Sequence, residues 1–394
     1  MSQTALPEKL NFLFYRFLTS KALTATIIMS FITFYMWMIA TEYRSVALAG
    51  AVITIYLAVE IVSSIPVGHL IDRVNNTWLN FISTFLIIAG FSVLIFSEKL
   101  LWIYISAAVS VLGQTLKADS FSAIMKKRLS EKAYRKANSA NTIAQSASSI
   151  FGTFIGGLFI ITVPAYFAYF LVGISIISLM FSFPSQEQSY VNEVSRSVAS
   201  EIKSVLVLLR KIVHFLIIAT IINGLLISID TYSSGLFALV LRSTPLYYTA
   251  FTLSAPVGMM TGAPLANLES LKKDSPLMVS FFIFLFSPLL LVMSLSRNPL
   301  LDIADGFILG LIIPLINIPL NTKLMKVIPT GIYGKTQAFL RIFTSGTSPV
   351  MGAVFSFLAL FFRITTVLLA IAFLMMPVAL YSFFAIKKFF NVFI

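Results

Sequence analysis

Four ionisable side chains stand inside stretches that are otherwise apolar: Glu60, Lys117, Asp119 and Asp230. A charged group at the centre of a bilayer costs roughly 2.5–3.5 kcal/mol on insertion scales, so each needs a reason to be there. A carboxylate in such a place can take up and release a proton as its surroundings change. Asp230 opens the polar cluster "DTYSS", residues 230–234, and clusters of that kind are tolerated where a helix lines water. Glu60 stands eight residues before Gly68, about 12 Å along a helix. Asp230, Glu60 and Asp119 are therefore the candidates for proton coupling. For Asp230 and Glu60 the competing role is a structural hydrogen bond to a neighbouring helix. Lys117 and Asp119 are two positions apart and point to different helix faces, so they do not simply pair. Lys117 either offers a cation to a cavity or snorkels toward the interface. Asp302 and Asp305 begin an apolar run, where the helix dipole favours carboxylates as caps. His69 and His214 stand at the ends of apolar runs and read as interfacial.

These groups need elements to hold them, and the composition says which. The chain has 394 residues, 58% hydrophobic and 11% charged, with a mean hydropathy of +0.94. A soluble chain carries about 25% charged residues, so lipid must be the solvent here. Apolar runs of about twenty residues predict twelve helical spans, near 22–41, 46–67, 79–97, 101–123, 141–162, 164–183, 212–239, 246–266, 277–296, 301–321, 338–361 and 364–386. The expected fold is an all-α membrane protein. Residues 1–183 form one six-helix bundle with an interfacial N-terminal segment in place of a cleavable signal. Residues 184–211 form a polar linker ending in an amphipathic helix, and residues 212–394 form the second bundle. Loops on the side of the termini hold 22 Lys or Arg, against five on the other side: Arg44, Lys99, Arg242, Arg297 and Arg363. The asymmetry places both termini in the cytoplasm.

Several function classes drop out. There are no cysteines and two histidines, and the carboxylates are scattered. No cluster for covalent catalysis or a metal centre is visible, and no phosphate-binding G-x-x-x-x-G-K-[ST] loop is present. No enzyme, cofactor or metal is expected. The net charge of +13 belongs to cytoplasmic loops and not to a nucleic-acid surface.

The halves echo each other. "YRKANSANTIAQS" and "YGKTQAFLRIFTS" both open a span, with Tyr134 and Tyr333 separated by 199 and Lys136 and Lys335 likewise. Gly156 and Gly352 are 196 apart, and Gly68 and Gly262 are 194 apart. A repeat of half the chain suits a transporter built from two related, pseudo-symmetric bundles around a midplane cavity.

Between spans 2 and 3 the chain reads "GHLIDRVNN". Gly68, Asp72 and Arg73 resemble the G-x-x-x-D-R-x-G-R-R loop of the major facilitator superfamily, with Asn75 and Asn76 in place of its later glycine and a basic residue. The resemblance implies that these three form a cytoplasmic gate, with Asp72 docking at the start of span 11 near Gln337. Gly68 would let two helices approach closely, and Asn75 would keep the turn by tolerating a left-handed backbone. In span 5, "FGTFIGG" resembles the superfamily's antiporter motif through Gly152, Gly156 and Gly157, with Thr153 replacing its proline. Gly152 and Gly156 also form a small-xxx-small packing face. "RKANSA" and the span 8 region resemble the branch of enterobactin exporters and macrolide-efflux-type permeases. The resemblance implies proton-driven export by alternating access from a prokaryotic cell membrane, by a monomer whose partners are its substrate, protons and lipid. It places the cavity among spans that include 1, 2 and 7. Tyr35, Trp37, Tyr56, Asn223 and Tyr232 are then cavity candidates, with Lys117. Few charges and 37 Phe favour a hydrophobic, amphipathic or weakly cationic substrate. Metabolite uptake on the same fold is the alternative, and a lipid-handling protein a more remote one.

Overall fold

The computed structural model describes residues 12–129, 131–184, 207, 209–265, 276–327, 340 and 342–391. Every regular element among them is helical. The twelve α-helices are α1 (Phe12–Glu42), α2 (Val46–Arg73), α3 (Asn76–Phe96), α4 (Leu100–Arg128), α5 (Glu131–Ile161), α6 (Phe167–Phe181), α7 (Val213–Gly235), α8 (Pro245–Leu265), α9 (Pro276–Leu295), α10 (Pro299–Val327), α11 (Ser348–Leu358) and α12 (Ile364–Asn391). Ten are long and apolar enough to cross a membrane, and α8 and α11 complete the set of twelve. Residues 1–11, most of the expected linker (185–206), and Tyr333, Lys335 and Gln337 lie outside the described residues.

Helix is the element this composition allows, because lipid offers no partner for a free backbone amide. The breaks in the helices have local causes. Pro66, Pro256, Pro264, Pro288, Pro314, Pro319 and Pro377 all sit inside helices and each deletes one backbone donor. α7 continues into a π-helical turn, Leu236–Val240, closed by Leu241 N–H donating to the Leu236 carbonyl at 2.8 Å. α11 starts just after a turn at Gly346 and Thr347.

The chain divides into two compact units, Met1–Met38 with Ile55–Asn192, and Ile39–Thr54 with Glu193–Ile394. In the first unit α3 lies along α4 and also packs on α6. In the second, α8 lies along α10 and α9 along α12, while α7 packs on α11 and α12. The α8–α10 pair is set by glycine. A methyl group at Gly258 would stand 2.2 Å from the Phe307 carbonyl oxygen, and one at Gly310 would stand 2.1 Å from the Ala255 carbonyl oxygen. Backbones meet there directly, as in small-xxx-small contacts generally. The second unit also takes in the end of α1 and the start of α2. There Val46 fills the space that a side chain at Gly235 would need, and Thr231 does the same at Gly50.

The half-chain repeat has a backbone counterpart. Arg44 and Arg242, 198 positions apart, are the two non-glycine residues with positive φ among the described ones, at 48° and 49°. Each is followed by a serine, Ser45 and Ser243, and each stands in the link to the next helix, α2 and α8. A left-handed arginine is uncommon, so the same strained turn at the same place in both halves is independent support for an internal duplication.

Candidate functional site

The second unit contains a cavity of about 370 Å³ lined by side chains of α7, α9, α10 and α12 together with Leu340 and Thr344, just before α11. Its wall is mostly aliphatic and aromatic, with Phe215, Ile222, Phe286, Ile316 and Leu320 among the contributors. Among the described residues its polar side chains are Asn223, Asn317 and Thr344, and no Asp, Glu, Lys, Arg or His lines it. The Asn223 side-chain amide donates to the Thr344 carbonyl at 3.2 Å, which leaves its own carbonyl oxygen to accept. Thr220 and Thr347 reinforce the same seam, Thr220 donating to the Phe343 carbonyl at 2.8 Å and Thr347 to the Thr220 carbonyl at 3.3 Å. Such a site can desolvate an apolar body and orient one or two uncharged polar groups.

Of the six side chains expected at a cavity, Asn223 lines this one. Tyr35 and Trp37 are buried in the packing of α1, and the Tyr35 hydroxyl donates to Glu98 at 3.0 Å. Tyr232 is fully buried and donates to the Phe355 carbonyl at 2.6 Å. Each hydroxyl already has a partner, which is why these large side chains can leave water. Tyr56 is half-buried and donates to Gln114 at 3.2 Å. Asn317 and Thr344 were not singled out by sequence reasoning. The bare signal was available for Asn317, an amide in the middle of "LIIPLINIPL".

Lys117 is placed in the core of the first unit and reaches neither a cavity wall nor an interface. Its side chain is fully buried. Nζ lies 2.6 Å from Thr84 Oγ1, 3.0 Å from Ser182 Oγ and 3.2 Å from Ser178 Oγ. An ammonium has three donors and no acceptor, so three hydroxyls satisfy it without a carboxylate. Ser20 closes the cage from α1, 2.9 Å from Ser178 Oγ and 2.5 Å from Ser182 Oγ. Sequence reasoning missed this cage because its members come from α1, α3, α4 and the end of α6, up to 162 positions apart.

The three carboxylates expected to carry a proton have different surroundings. Asp230 is exposed on α7, with the buried Tyr248 of α8 within electrostatic reach. Glu60 is exposed on α2, one turn from Tyr56 and acting on it electrostatically. Asp119 is half-buried and acts on Lys21, a residue the sequence reading passed over. Lys21 Nζ donates to Asn141 at 2.8 Å and lies 5.0 Å from the Phe121 ring centroid. His214 bridges Tyr381 (2.6 Å) and Lys388 (2.9 Å), tying α7 to α12.

At the "GHLIDRVNN" turn, the side chains of Asp72 and Arg73 lie outside the described residues. A methyl group at Gly68 would meet nothing within 4 Å among the described residues, so no close approach is made there by the helices they form. Asn75 is extended, with φ −60° and ψ 118°, and not left-handed as its type suggested. Instead it caps α3, its side-chain oxygen accepting from Thr77 N–H at 2.9 Å and Trp78 N–H at 3.3 Å. Gly152 and Gly156 of α5 lie against α1. A methyl group at either would stand 2.4 Å from the Thr26 carbonyl oxygen or 2.6 Å from the Ser30 carbonyl oxygen, respectively. Gly157 is buried beside them.

The family model described as Major Facilitator Superfamily matches residues 18–353. No curated protein matches the sequence. Among solved structures, a variant of the nucleoside transporter NupG shares 12% identity at a TM-score of 0.73, covering 96% of this chain and 100% of its own. A bacterial homologue of the human lysosomal transporter Spinster, inward-facing and unoccupied, shares 10% at 0.75, covering 97% and 98%. A variant of the peptide transporter POT shares 15% at 0.74, covering 99% and 98%. At such identities the likeness is one of fold.

Proposed function

The chain belongs to the Major Facilitator Superfamily, and from that premise we propose that this transporter exports a hydrophobic or amphipathic small molecule by alternating access, coupled to protons. The observation that carries the substrate class is the uncharged wall of the 370 Å³ cavity, where Asn223, Asn317 and Thr344 interrupt an apolar lining. An anionic sugar or phosphate needs basic groups in its site; among the described residues none lines this cavity, and Lys117 is spent on Thr84, Ser178 and Ser182. The direction rests on the span 5 motif, whose Gly152 and Gly156 hold α5 against α1. The coupling reading rests on Asp230 and Glu60, carboxylates exposed on helices that are otherwise apolar. The excess of Lys and Arg on the side of the termini supports both termini being cytoplasmic, and the resemblance to the exporter branch is what implies a prokaryotic cell membrane. The unit boundary near 192 is compatible with two bundles joined by a linker over 184–211.

The test is transport by the purified protein in liposomes carrying an imposed pH gradient, with a panel of lipophilic dyes. Gradient-driven movement toward the acidic side that stops with an uncoupler is the expected result. Movement down the proton gradient would replace export by uptake, and indifference to the uncoupler would remove the proton from the scheme.

A further inference from the structure

At the start of α10 two carboxylates are buried side by side. Asp302 has no exposed surface, and Asp305 is 3% exposed. Three residues apart, they share a helix face, and the charge of one acts on the other. Among the described residues no donor meets hydrogen-bond geometry at either oxygen of Asp302 or at Oδ2 of Asp305, and Ser296 is the side chain that interacts with Asp302 from nearby. Their position suggested helix caps, but the cap is Asn298, whose side-chain oxygen accepts from Leu300 N–H at 3.0 Å. Ser296, the polar neighbour of Asp302, turns its hydroxyl to the Asn298 carbonyl at 3.2 Å.

No basic group compensates the pair from the helices that hold it. α8 and α9 pack against α10, and neither contains Lys, Arg or His. The titratable side chains of α8 are Tyr247 and Tyr248, and α9 has none. Arg242 and Arg297, in the adjoining links, are exposed. A buried charge without a partner costs several kcal/mol, and two like charges on one face cost more. One shared proton would serve two oxygens, as donor to one and bond to the other, and leave the third orphaned. A hard cation accepts several oxygens at once. Two carboxyls that share one proton carry one negative charge between them, which a single monovalent cation cancels.

We infer that Asp302 and Asp305, with Ser296 beside them, form a binding site for a small, hard monovalent cation, sodium being the matching probe. The site is distinct from the cavity lined by Asn223 and Asn317, and it stands whichever way the transporter runs.

Thermal unfolding of the full chain in detergent tests it, in sodium chloride against choline chloride at equal ionic strength and fixed pH. Sodium should raise Tm saturably, and choline should not. Asp302→Asn and Asp305→Asn should each abolish the response while unfolding in choline at or above the wild-type temperature, because a buried charge has gone. Radiolabelled sodium should bind the wild type and be lost with both variants, a readout that does not depend on unfolding. Equal Tm in both salts, a sodium response that survives in the double variant, or a shift with pH and none with sodium would each overturn the site.

Discussion

Lys117 Nζ stands 2.6 Å from Thr84 Oγ1 in a site with no exposed surface. The two residues are bound to each other's fate. Removing Thr84's hydroxyl leaves a donor of a buried amine unpaired, which costs about 1–3 kcal/mol. Removing the amine is different. Thr84, Ser182 and Ser20 already lie within hydrogen-bonding distance, at 2.9 Å and 2.5 Å, and can satisfy one another. Replacing a buried charge by an apolar chain of similar volume is often neutral or stabilising. Thr84→Val should therefore lower Tm more than Lys117→Met, and Lys117→Met should keep transport. Loss of transport in a stable Lys117→Met protein would make the lysine functional and not architectural.

What the sequence showed and what it hid differ in range. Spans were legible because lipid demands twenty apolar residues in a row, a signal local to each helix. The repeat was legible as spacing, and Arg44 and Arg242 carry it into the backbone. Burial of Tyr35, Tyr232 and Lys117 was not legible, because it depends on which neighbouring helix supplies an acceptor. The Lys117 cage needs four helices to be assembled, and no window of sequence contains it. Asn75 misled for a related reason. Its type allows both a left-handed turn and a cap, and the free amides of α3 decided between them.

Two glycines that read alike should respond in opposite ways. Gly152→Ala puts a methyl group 2.4 Å from the Thr26 carbonyl oxygen, on backbone that cannot move without parting α1 from α5. Overpacking of this kind costs about 1–3 kcal/mol. Gly68→Ala meets open space and gains helix propensity of roughly 0.8–1 kcal/mol. Thermal unfolding should show a fall for the first and no fall for the second. If Gly68→Ala leaves Tm intact but stops transport, the position is a contact made in another state, as the gate reading of Gly68, Asp72 and Arg73 requires.

The cavity makes its own prediction about selectivity. Asn223 and Asn317 are the side chains there with a free hydrogen-bonding edge, and both face an apolar wall. Asn317→Leu should weaken substrates that carry a carbonyl or hydroxyl by about 1 kcal/mol, roughly fivefold in KM, and leave purely apolar dyes unchanged or improved. Competition between a polar and an apolar substrate of equal size measures this directly. Equal loss for both would mean that Asn317 shapes the cavity without reading the ligand.

Proton coupling, finally, can be separated from folding and from binding. Asp230→Asn and Glu60→Gln keep size and hydrogen-bonding shape while removing the titrating group. Both positions are exposed, so neither change leaves a buried cavity, and Tm should move by less than about 0.5 kcal/mol equivalent. A carrier that has lost its coupling proton can still exchange labelled for unlabelled substrate across the membrane, since exchange needs no net proton movement. The variant at the coupling site should therefore keep exchange and lose concentration against a gradient. Asp230 is the stronger candidate, since it heads the polar run 230–234 and acts on Tyr248 of the adjacent α8. If both variants still concentrate substrate, neither carboxylate carries the proton. Loss of exchange together with concentration would place the residue in substrate binding or in the conformational change itself.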